Sequence, residues 1–163
     1  MQCEIRKSCS LRNVVYEIGK LSSPVGIILV DTTDIKSTDL FKSPRDRFWS
    51  ELKTVFRDVD QAVEYTLEED IRRHLANSAI QSPVVIEISF DQIVSRGRLN
   101  GLLNRLQGLG IKRVAAVCIT YGLNGAVYAE KMVSCMRLRD EPSHKRGVDM
   151  LIIVDDSDTV TMV

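Results

Sequence analysis

Three apolar stretches of the chain each carry a carboxylate: Asp31 follows Val25 to Val30 (VGIILV), Glu87 lies inside Val84 to Ser89 (VVIEIS), and Asp155 and Asp156 follow Val148 to Val154 (VDMLIIV). Carboxylates that converge where parallel strands end can hold Mg²⁺, an ion that takes oxygen ligands, and such an ion can assist phosphodiester hydrolysis. On that reading the metal set is Asp31, Glu87 and Asp156, with Asp155 as a further catalytic candidate. The competing reading is that strand-end acids cap turns and keep strands from associating. Strand alternation separates the two, because a residue inside a run can face away from the point where its neighbours end.

The elements that would position these acids can be read from the apolar pattern. Val84 to Ser89 is a β-branched run, Ser95 to Gly110 carries Leu99, Leu102, Leu103, Leu106 and Leu109, and Val114 to Thr120 is a second apolar run. That is a strand, helix, strand unit, and strands apolar on both faces belong in a covered parallel sheet. Val25 to Val30 and Val148 to Val154 add two more strands of the same kind. Asn13 to Ile18 (NVVYEI) reads as a short strand ending at Gly19, within residues 1–23 that form a peripheral strand or arm. Ser43, Pro44 and Asp46 start a helix as N-cap, first-turn proline and first-turn acid. From there Phe48, Leu52, Val55, Phe56, Val59, Val63, Leu67, Ile71 and Leu75 follow at steps of three and four, which predicts one long amphipathic helix over 44–77 or two with a break near Asp58. Ala126 to Leu138 reads as another helix, with Val127, Met132, Val133 and Met136 inward, and the residues after Asp158 read as a short tail. The expectation is a single α/β domain over 1–163, with a mostly parallel sheet of four to five strands flanked by helices.

Composition narrows the function classes. Lys plus Arg and Asp plus Glu both total 22 in 163 residues, so net charge gives no general attraction to nucleic acid or to an anionic membrane. Arg96, Arg98, Arg105, Lys112 and Arg113 give the central unit a basic side without interleaved aromatics. Cys3, Cys9, Cys118 and Cys135 form no C-x-x-C pair, and Cys118 and Cys135 read as reduced core thiols. His74 and His144 read as satisfied or solvated side chains. No apolar run approaches the roughly 20 residues of a membrane span, and the reading is a cytoplasmic protein. Neither a Walker A sequence nor G-x-G-x-x-G nor G-x-S-x-G occurs, and Gly108-Leu109-Gly110 ends a helix instead of opening one on a phosphate.

Three resemblances bear on function. RGVDMLIIVDDSD, with the early ILVDTT, looks like the NYN and PIN ribonucleases, and VVIEIS with Asp156-Ser157-Asp158 resembles the glutamate and D-x-D of Toprim domains. Both would imply a Mg²⁺-dependent nuclease or phosphotransfer enzyme, and nucleic acid is a partner under that alternative alone. Residues 83–120 resemble the heart of a STAS domain, the fold group of anti-sigma-factor antagonists and of the N-terminal domain of the division inhibitor MinC. The matching features are the strand Val84 to Ser89, the turn Ile93-Val94-Ser95-Arg96-Gly97, and the leucines Leu99, Leu102, Leu103 and Leu106 before a glycine. That likeness implies a non-enzymatic regulatory or scaffold module, without a cofactor, working by association with a protein partner or with itself. The antagonists' phosphorylated serine would fall at Arg96, with Ser95 one position before it. We therefore expect a partner surface of Ser95, Arg96, Arg98, Asn100 and Arg105 around a buried centre of the nearby leucines. The strand-end loops 32–38 and 122–125 are a third candidate, for a small ligand.

Overall fold

The strand Val25–Asp31 (β2) is apolar on both faces because it is covered on both. Ile27 and Leu29 enter one buried cluster, and Ile28 and Val30, pointing the other way, enter a second. The computed structural model describes residues 5–9, 11–21, 24–31, 44–56, 63–64, 68–76, 82–90, 93, 99–120, 127, 130–132, 148–155 and 160–162. Within them the elements run β1 (Ile5–Cys9), α1 (Leu11–Gly19), β2, α2 (Pro44–Val55), β3 (Val63–Glu64), α3 (Glu68–Ala76), β4 (Val84–Ser89), α4 (Leu99–Gly108), β5 (Arg113–Thr120), β6 (Met150–Asp155) and β7 (Val160–Met162). They build an α/β fold on one sheet of order β1-β7-β6-β5-β2-β4-β3. The five neighbours β6, β5, β2, β4 and β3 are parallel, and β7 and β1 extend one edge by antiparallel pairing.

The faces follow from the connections. The segments holding α1 and α2 carry the chain across the sheet toward β3, and both helices pack in the cluster of Ile27, Leu29, Val85, Val117 and Ile152. Those holding α3 and α4 carry it back toward β6, in the opposite cluster of Ile28, Val30, Ala116, Cys118 and Leu151. Met132, between β5 and β6, joins that second cluster. Opposite directions on opposite faces are what a uniform crossover hand requires.

Two expectations of secondary structure are corrected. Asn13 to Ile18 is not a strand but part of α1: Val14, Val15 and Ile18 are fully buried, with Leu11 packed beside them, a helical stripe. Strand alternation would have put Tyr16 inside with Val14 and Ile18, whereas Tyr16 is 60% exposed. Packing of the stripe overrides the β-branched propensity of the two valines. The stretch 44–77 is not one long helix but holds two, α2 and α3, as the alternative with a break has it. Phe48 and Leu52 of α2 lie in one cluster and Ile71 of α3 in the other, so the chain must pass the sheet edge between them, where β3 pairs with β4. The expected helix over 126–138 lies largely outside the described residues; Met132 is buried, but Val127, expected inward, is 48% exposed. The stretch read as a tail supplies β7, and β1 is the edge strand beside it. Cys118 is buried and in no disulfide, as expected, while Cys3 and Cys135 lie outside the described residues. Among the described residues no helix is long and apolar enough to cross a membrane.

Helix α4 ends in a turn that the glycine at 110 makes possible. Gly110 has φ 94°, its N–H donates to Gln107 O at 3.0 Å, and the Ile111 N–H donates to Leu106 O at 3.0 Å. This is the Schellman arrangement, and its usual apolar contact is supplied by Ile111 and Leu106, both in the core. Just after it, Asp149 ties the start of β6 to that of β5. Its N–H donates to Val114 O at 2.8 Å, its carboxylate accepts from Val114 N at 2.8 Å, and Arg113 Nη1 donates to it at 3.1 Å. Asp149→Ala is expected to cost about 1–2 kcal/mol in a urea denaturation series, because the Val114 amide loses its acceptor in a nearly buried place. An unchanged midpoint would show that water replaces the carboxylate.

Candidate functional site

The parallel strands all end on one edge, and β2 is the singular one. From β2 the chain leaves toward the α2 face, while from its neighbours β4 and β5 it leaves toward the other face. This is a topological switch point, where α/β sheets commonly place ligands. The backbone of Asp31 lies at the end of β2, level with Ser89 of β4 and Ile119 of β5; Asp155 ends β6 level with Thr120. Glu87 sits two residues further in, level with Leu29. Asp156 lies outside the described residues, as do the loops 32–38 and 122–125 and His144.

Glu87 shares its face with Val85, so its carboxylate is directed under α2. Arg45 and Trp49, one helical turn apart, meet it there. Arg45 Nε donates to Oε2 at 3.0 Å, Arg45 Nη2 donates to Oε1, and Trp49 Nε1 donates to the same Oε1 at 3.2 Å. The ion pair is half-buried, with 34% of the Arg45 side chain and 28% of the Glu87 side chain exposed. This fork geometry fixes the first turns of α2 over β4. It also engages both oxygens that a metal would need, and places a guanidinium where a divalent cation would have to sit. Glu87 therefore fits a Mg²⁺ ligand poorly. Among the described residues no three His, Cys, Asp or Glu side chains come together in a group able to hold a metal ion.

His74 of α3 is buried, and its Nε2–H donates to the Ser82 carbonyl at 2.8 Å, which fixes the chain just before β4. It is a satisfied core histidine, not a solvated one.

Only part of the expected partner surface falls among the described residues. Ser95, Arg96 and Arg98 lie outside the described residues. Asn100 and Arg105 are exposed on α4. The leucines expected to form the centre of that surface do not: Leu99, Leu103 and Leu106 are buried in the chain's own core, and the half-buried Leu102 packs against the same cluster. The sheet beneath α4 is apolar, so the leucine stripe is satisfied within the chain. What faces outward is Asn100, Gly101, Asn104, Arg105, Gln107 and Gly108. A Cβ at Gly101 or Gly108 would meet nothing within 4 Å. Gly101, Asn104, Gln107 and Gly108 were not anticipated as surface residues of interest, although their helical spacing opposite the leucines was the signal.

Comparison with protein-family models, with curated proteins and with solved structures finds no match to this chain.

Proposed function

We propose that the chain is a non-enzymatic regulatory or scaffold module that works by protein association, with the outer face of α4 as the contact surface. The observation that carries this reading is that α4 turns its leucines inward and presents a polar face of amides, one guanidinium and two glycines. Asn100, Asn104 and Gln107 each offer a donor and an acceptor, and the glycines let another backbone come close. The commitment of Glu87 to Arg45 and Trp49 supports a structural role for that carboxylate over a metal-bound one.

A photo-crosslinking benzophenone residue at position 105, beside the contact face, with one at the exposed Lys53 of α2 as the control, tests the surface. The expected result is a protein conjugate of defined mass from position 105, formed by the purified chain alone or with native extract, and none from position 53. Equal labelling at the two positions, or none at either, would remove α4 as the contact surface.

A further inference from the structure

Resting on that reading, we infer that the partner of α4 is α4 of a second copy, crossing antiparallel about a twofold axis through Asn104. The register carries the argument. An antiparallel pairing centred on residue 104 sets Asn104 against Asn104 of the other copy, Asn100 against its Gly108, and Gly101 against its Gln107. Asn100 and Gln107 then each lie opposite a glycine, a projection facing a gap, and both gaps are open because a Cβ at either glycine would meet nothing within 4 Å. All six of the outward residues Asn100, Gly101, Asn104, Arg105, Gln107 and Gly108 are exposed.

The chemistry of the face is self-complementary as well. An amide donates through its nitrogen and accepts through its oxygen, so two Asn104 side chains related by a twofold axis satisfy one another. A face of like charges would repel its copy. Here Arg105 is the one charged residue, and the axis through Asn104 sends the two Arg105 side chains to opposite flanks. The zero net charge of the whole chain adds no general repulsion. Glycines about one turn to either side of the crossing allow the axes to approach toward the short end of the usual range of about 8–10 Å. A contact made mainly by one ten-residue helix per copy lies below the roughly 1,200 Å² of stable interfaces, so the dimer depends on concentration.

Sedimentation velocity over a concentration series of the purified full chain is the test. The dimer fraction should rise with concentration. Asn104→Arg, which puts two guanidinium groups face to face, should weaken association roughly tenfold or more. Gly108→Asn should weaken it by filling a gap, and adding Asn100→Gly to the same chain, which exchanges projection and gap, should restore it. Far-UV circular dichroism and Trp49 emission unchanged from the parent chain show that each variant is folded. A dimer indifferent to Asn104→Arg and Gly108→Asn overturns the inference. A monomer at every concentration also overturns it, and the crosslinker at position 105 then tells the two failures apart. A conjugate with a different, sequenced protein leaves the association reading standing, whereas no conjugate removes both.

Discussion

Replacing Glu87 by alanine is expected to destabilise the fold by about 2–3 kcal/mol, with Glu87→Gln costing about 1 kcal/mol. Alanine removes the acceptor of three hydrogen bonds at once and leaves the Arg45 guanidinium half-buried over an apolar cluster. Hydrogen bonds to a charged group contribute about 1.5–3 kcal/mol, and breaking one side of a fully buried pair costs about 3–5. The exposure of this pair lets water solvate the remaining guanidinium, which keeps the loss at the lower end. Glutamine retains an oxygen for Trp49 and for one donor of Arg45. The sign of the effect separates two roles for this carboxylate. Acids gathered for a metal repel one another without it, so removing one would stabilise the metal-free protein. A carboxylate that holds α2 down destabilises when removed. Trp49 is the chain's single tryptophan, so its emission reports the cluster directly. Urea denaturation followed at Trp49 should show an earlier midpoint for Glu87→Ala, along with altered native emission. A raised or unchanged midpoint would sink the structural role.

The parallel core was legible because its strands had no alternative. VGIILV, VVIEIS, the run from Val114 and MLIIV are too apolar for a one-sided sheet and too short for spanning helices. The end of α4 was legible as well, since Gly110 and Ile111 follow the last leucines at the spacing a Schellman turn uses. Two local patterns were ambiguous for physical reasons. The residues Val14, Val15 and Ile18 fit both a β-branched strand and a helical stripe, and what decides is that α2 offers a helix-shaped partner, which a local reading does not contain. The stripe from Phe48 to Leu75 keeps its period through a break because α2 and α3 each need an inward face, although those faces look onto opposite sides of the sheet.

The candidate site was legible in half of each interaction. A glutamate inside an apolar strand needs a partner, and that much is visible in VVIEIS. Its partner Arg45 is 42 residues away, and only the strand order that puts β4 beside β2, with α2 crossing above, brings the two together. On α4 the polar residues could be assigned outward from the helical period. The leucine stripe alone does not say whether it faces a core or a partner, and the sheet beneath α4 takes it for the core.

Gly26→Val is expected to cost about 3 kcal/mol, and Gly26→Ala about 0–1. Gly26 sits in β2 between Val84 and Val114, where a larger residue would ordinarily suit a central strand. A Cβ there would lie 3.1 Å from Ile111 Cγ2, 3.6 Å from Leu106 Cδ1 and 3.8 Å from Val114 Cγ2. Ile111 and Leu106 are each 1% exposed and belong to the turn that ends α4, so they have little room to retreat. For alanine the crowding is a few tenths of an ångström at one methyl group, and it is largely offset by the conformational freedom that a glycine loses on folding, about 0.4–1 kcal/mol. Valine adds two further methyl groups to a close-packed place, where overpacking typically costs about 1–3 kcal/mol or more. The strain is relieved only if the carboxyl end of α4 lifts from the sheet. That movement would carry Gln107 and Gly108 with it, so Gly26→Val should also weaken self-association although residue 26 lies beneath the helix and away from its outer face. Denaturation midpoints for the two variants, measured beside their sedimentation profiles, test both halves. A valine variant as stable as the parent would show that α4 does not bear on β2 as closely as the packing requires, and a destabilised variant with undiminished association would separate the seating of α4 from its contact face.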